Sequence, residues 1–74
     1  MAGEQVTIRL SSDQALVLYE LLSRFDQDEE LSIEDRAEER VLGDVHAQLE
    51  KALVAPFDPR YEELVAASRD RLRV

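Results

Sequence analysis

The chain has no cysteine, no tryptophan, one histidine, two glycines and two prolines, and each shortage removes a class of explanation. Without Cys there is no disulfide and no thiolate metal site, and the composition suits a reducing compartment. Gly3 and Gly43 are the only glycines, so neither a phosphate-cradling loop nor a dinucleotide fingerprint can form. His46 is the only His, which rules out a two-His metal site within one protomer. Long apolar runs are missing too: Ala15-Leu16-Val17-Leu18-Tyr19 is the longest and Glu20 ends it, well short of the ~20 residues that span a bilayer. The opening Met1-Ala2-Gly3-Glu4-Gln5 lacks the basic and apolar regions of a signal peptide. These absences predict a soluble, cytoplasmic protein with no membrane partner.

What is present is one small domain, residues 1–74, with 45% hydrophobic residues and a net charge of −8 from 17 acidic and 9 basic side chains. A core this small supplies only roughly 3–5 kcal/mol of net stability, so a partner or a second copy is the expected supplement. The average field repels polyanions, which disfavours nucleic acid and anionic membrane as partners. The charge is also uneven. Eight acids, Asp26, Asp28, Glu29, Glu30, Glu34, Asp35, Glu38 and Glu39, fall within fourteen residues that hold only Arg36 as counter-charge. Asp28, Glu30, Glu34, Asp35, Glu38 and Glu39 are therefore the candidate contact for a protein with a basic surface.

Periodicity predicts a mainly α fold with one N-terminal strand followed by three helices. Val6, Ile8 and Leu10 alternate with Thr7 and Arg9, the period of a half-buried strand over 6–10. Ser11 and Gln14 have capping-box spacing and open a first helix over about 12–26, whose apolar positions cover much of its circumference. Ser32 is the expected cap of a second helix over about 32–54, with Ile33, Ala37, Val41, Val45, Leu49 and Leu53 recurring every four residues. Gly43 within it reads as a tolerated surface glycine or, more sharply, a close helix approach. Pro56 stops that helix, while Asp58 and Pro59 suit the start of a third helix over about 59–72. Phe57 is expected to plug the core under the turn. A lone strand cannot satisfy its own backbone groups, which leaves pairing with residues 53–55 or with its own copy in an antiparallel homodimer.

Chemical constellations are thin. Asp26, Asp28 and Glu30 match the first ligands of a calcium loop, but Leu31 stands where Gly is needed and Ala37 where a bidentate Glu is needed. Glu34, Glu38 and Glu39 lack the Glu-x-x-His spacing of di-metal bundles, since Gly43 precedes His46 by three. His46 reads as a boundary residue near Glu50. The serines occupy caps or helix faces with no His in an evident relation, so no nucleophile is assigned. The expectation is a protein with no catalytic residues, no metal and no cofactor.

Two resemblances add to this. Val6-Thr7-Ile8-Arg9-Leu10-Ser11 followed by a helix resembles the start of a ribbon-helix-helix DNA-binding protein. That likeness covers about twenty residues and implies a dimeric regulator in which Gln5, Thr7 and Arg9 read the major groove. The acidic helix junction, the extra helix and the net charge depart from that family's pattern. Ala37-Glu38-Glu39-Arg40-Val41-Leu42, Leu49-Glu50-Lys51 and the run from Leu53 to Leu64 resemble a group of short uncharacterised bacterial proteins. With the opening strand and helix the likeness spans nearly the whole chain and implies a stand-alone bacterial protein. The leading expectation is an acidic protein–protein interaction module of regulatory, antitoxin-like or immunity-like type.

Overall fold

Three α-helices account for most of the computed structural model, which describes residues 3–28 and 32–74 apart from the side chains of Asp26 and Asp28. They are α1 (Ser12–Asp28), α2 (Arg36–Ala52) and α3 (Tyr61–Leu72), with a single 3₁₀ turn at Ala55–Phe57 between the last two. Helix α1 lies between the others. Leu16, Tyr19 and Leu22 are its buried side chains, and Leu49 of α2 and Val65 of α3 complete the buried apolar set. Ala15, Leu18, Leu42, Val45, Leu53 and Tyr61 pack around Tyr19, Leu22 and Leu49.

The capping box at α1 forms as the spacing predicts. Gln14 N–H donates to Ser11 Oγ at 3.1 Å, and Ser11 N–H donates to Gln14 Oε1 at 2.8 Å, which satisfies two orphan donors reciprocally. The other two helix starts differ from the sequence expectation. Asp35 caps α2, with Ala37 N–H donating to its Oδ1 at 2.8 Å, so Ser32 and Ile33 lie ahead of the helix. Asp competes well for a cap, and its carboxylate also meets the positive end of the dipole. At α3, Asp58 Oδ1 accepts Arg60 N–H at 2.7 Å and Asp58 O accepts Tyr61 N–H at 3.0 Å. That tight turn uses Pro59 and Arg60 before the helix begins at Tyr61. At the other end of α2, Leu53 is extended at φ −102°, so the helix stops at Ala52, ahead of Pro56.

Three further expectations change. Residues 6–10 form no strand: among the described residues segment 4–10 is irregular and makes no backbone hydrogen bond, and Val6 is 92% and Ile8 73% exposed. Alternation supplies the pattern of a strand, but a strand also needs a partner edge, and the helices leave none. Phe57 is 73% exposed rather than a core plug, because Tyr61 already packs against the cluster it was expected to fill. A Cβ on Gly43 would meet nothing within 4 Å, so no helix of the same chain approaches it.

The α1–α3 contact is fastened at two places. Arg71 grips Asp13 in a fork, Nε to Oδ2 at 2.8 Å and Nη2 to Oδ1 at 2.7 Å, and Ser68 Oγ donates to the same Oδ1 at 2.8 Å. Ser68 is 2% exposed and needs that partner. The Arg71 guanidinium and then the Ser68 hydroxyl hold the Asp13 carboxyl down at about 2. Toward the middle, Tyr61 OH donates to Glu20 Oε1 at 2.6 Å, while burial and that carboxylate push its phenol well above the ordinary value.

Candidate interaction surface

The apolar repeat of α2 has a geometric consequence. Four residues of α-helix turn through 400°, so an every-four repeat rotates about 40° at each step. Between Val41 and Leu49 the row has therefore turned about 80° around the axis. The structure shows both ends of that drift. Leu49 is buried and Val45 and Leu53 pack against the Tyr19–Leu22–Leu49 cluster, whereas Ala37 is exposed and Val41 is 58% exposed.

The contacts with α1 show why the head of α2 lies open. Tyr19 OH donates to Glu50 Oε2 at 3.2 Å, and Ser23 Oγ meets His46 Nε2 at 3.0 Å. Each four-residue step up α1 answers a four-residue step down α2, so the helices run antiparallel. Continuing that register sets Leu42 level with Gln27 and carries Ala37 past Asp28, the last residue of α1. The overhanging turn bears an open groove of about 490 Å³, lined by Ser32, Ile33, Ala37, Glu38, Val41 and Leu42.

The acidic candidates divide here. Glu34, Asp35, Glu38 and Glu39 are exposed around the start of α2. Asp35 is the cap, and Glu38 Oε1 accepts Glu34 N–H at 2.8 Å while its side chain lines the groove. Glu39 is not part of the lining. Glu30 and the Asp28 side chain lie outside the described residues. The candidate DNA-reading residues Gln5, Thr7 and Arg9 are all exposed on the irregular N-terminal segment. Among the described residues Arg9 makes no ion pair.

Sequence reasoning missed a polar node between α1 and α2. Ser23 and His46 are hydrogen-bonded, contrary to the expectation that no serine has a His beside it. The rings of His46 and Tyr19 lie 4.8 Å apart at 46°. Ser23 Oγ also donates to Tyr19 O at 2.9 Å. That bond uses its single proton, so its remaining capacity toward His46 is as an acceptor from the Nε2–H tautomer. In that arrangement the imidazole is a donor to Ser23, not its base. The pairs Tyr19/Ser23 and His46/Glu50, each four residues apart, were the available signal. A hollow of about 230 Å³ beside this node is lined by Glu20, Arg24, Gln27, Pro56 and Tyr61 among others. Arg24 Nε lies 3.4 Å from Glu20 Oε2 within it. Among the described residues no three His, Asp or Glu side chains group as a metal site would require, and no helix is long and apolar enough to cross a membrane.

Fold and surface together define a class and no more: a mainly α protein of three helices with an open, acid-rimmed groove at the head of the second. No family model, curated protein or solved structure matches the chain.

Proposed function

We propose that the protein is a small non-catalytic protein–protein interaction module of a bacterial cytoplasm, acting as a regulatory, antitoxin-like or immunity-like partner. Its docking face is the head of α2, and it receives a protein with a basic surface. The observation that carries this reading is the overhanging turn of α2, where Ile33, Ala37, Val41 and Leu42 line a groove whose rim includes Glu38. Apolar surface supplies affinity. The carboxylates set partner choice and association rate. Affinity capture from an extract of the source organism at low salt tests it. The wild-type chain is expected to retain one basic protein in stoichiometric amount. The triple variant Glu34→Lys, Glu38→Lys, Glu39→Lys is expected to lose it while keeping its helical circular dichroism. Equal retention by the triple variant contradicts the reading. Asp35 is left in place because it caps the helix.

A second reading is favoured by one observation, the exposed segment 4–10, whose backbone groups make no backbone hydrogen bond among the described residues. In a dimeric ribbon-helix-helix-like DNA-binding regulator this segment pairs antiparallel with its copy, and Gln5, Thr7 and Arg9 face DNA. That reading expects the same capture to enrich DNA from one locus and Arg9→Ala to abolish the enrichment. Failure to retain any genomic fragment at low salt contradicts it.

A further inference from the structure

We infer that the groove at the head of α2 is occupied by the N-terminal segment of a second copy of the chain, so that two protomers exchange residues 4–10. The inference rests on the reading of the α2 head as a docking face: the second copy's segment holds that face in the free protein, and the basic partner displaces it.

Two unsatisfied features of the structure complement each other. The segment presents Val6 and Ile8 at 92% and 73% exposure, with Leu10 at 41% and backbone groups without partners among the described residues. The groove presents Ala37 and Val41, both exposed, with half-buried Ile33 and Leu42 in its wall. Charge agrees in sign. Arg9 is the only cation ahead of Arg24, and Glu38 stands in the groove wall with Glu34 beside it. Docking one α2 head against another instead brings like carboxylates together, which costs affinity.

Reach decides that the segment belongs to another molecule. Helix α1 runs 17 residues from Ser12 to Asp28, which spans about 24 Å. The α2 register places the groove at the Asp28 end, and the segment leaves from the Ser12 end. Ile8 extends at most about 14 Å from Ser12, and Val6 about 21 Å. Neither apolar anchor reaches the groove of its own chain. In a two-fold pair each groove receives one segment and the interaction closes without growing further.

Light scattering with sedimentation equilibrium on the full chain tests the exchange. The expected wild-type mass at micromolar concentration is twice the 8.5 kDa protomer. Ile8→Glu places a carboxylate in the apolar groove and is expected to give a monomer; Ile8 is 73% exposed within the protomer, so the helical fold is expected to survive. Arg9→Glu and Glu38→Arg each weaken dimerisation about tenfold, and the double variant recovers most of the loss. A wild-type monomer up to about 100 μM, a dimer indifferent to Ile8→Glu, or a double variant no better than the singles overturns the exchange. Direct pairing of two N-terminal segments gives that last outcome, because it does not involve Glu38. A dimer that survives Ile8→Glu, beside a Val41→Glu variant that loses the captured basic protein, overturns the exchange and leaves the docking face standing. Val41→Glu without effect on dimer or capture overturns both.

Discussion

The two halves of α2 carry the same kind of sequence and have opposite surroundings. Leu49, with Val45 and the C-cap Leu53 beside it, belongs to the cluster built on Tyr19 and Leu22, while Ala37 and Val41, spaced just as regularly, line an open groove with Ile33 ahead of the helix. The difference comes from rotation and register rather than composition. A row that repeats every four residues turns about 40° per step, and α1 ends before the head of α2 is covered. One helix thus closes the core with its tail, while its head lies open among the described residues.

That contrast is sharpest at the level of single side chains. Leu49→Ala removes a buried anchor and is expected to cost about 2–4 kcal/mol, whereas Val41→Ala in dilute protein changes stability by less than about 0.5 kcal/mol. Urea unfolding of both variants checks this, and equal losses break the division of α2. The α1–α3 side extends the comparison. Ser68→Ala leaves the Asp13–Arg71 fork in place but removes the buried hydroxyl bond, an expected loss of about 1–3 kcal/mol by the same assay. Asp35→Ala affects the open half, costing about 1 kcal/mol of cap energy and fraying the head of α2 before its tail in hydrogen exchange.

The smallest effect is the pH dependence of the closed half. Asp13 sits at about 2 in the folded chain against 3.8 when unperturbed. Its contribution is therefore present above about pH 4 and lost as pH falls toward 2. Asp13→Asn is expected to flatten the fall of Tm over that range. Tyr61 is shifted the other way, by burial first and then Glu20. Its protonated form is favoured by folding, so that contribution holds below pH 10 and fades above it. Tyr61→Phe is expected to remove the alkaline step, which melting curves recorded across pH will show.

Much of the scaffold was legible in the sequence. Ser11 and Gln14 announce the start of α1 through paired local bonds, and three helices follow from periodicity and breakers that act within a few residues. The starts of α2 and α3 fall later than the spacing predicts because Ser32 and Asp35, or Asp58 and Pro59, are competing local signals, and the Asp35 cap and the Asp58 turn prevail. The strand over 6–10 was read from alternation alone, which says how side chains divide but not whether a neighbouring edge exists. Phe57 looked like a plug because its size was visible and the place of Tyr61 was not. The groove was hidden in plain pattern: the repeat from Ile33 to Leu53 reads as one stripe until its rotation is counted. The spacings Tyr19/Ser23 and His46/Glu50 mark one face on each helix, but the Ser23–His46 bond also needs the antiparallel register of α1 and α2, which neither spacing states.

Residue-resolved amide exchange along α2, recorded at low and at high protein concentration, tests the division of this helix most directly. The account predicts that amides around Val45 to Ala52 are protected equally at both concentrations, while those around Glu39 to Leu42 exchange fast when dilute and gain protection when concentrated. Head amides as protected as that of Leu49 in dilute protein, and indifferent to concentration, would contradict it.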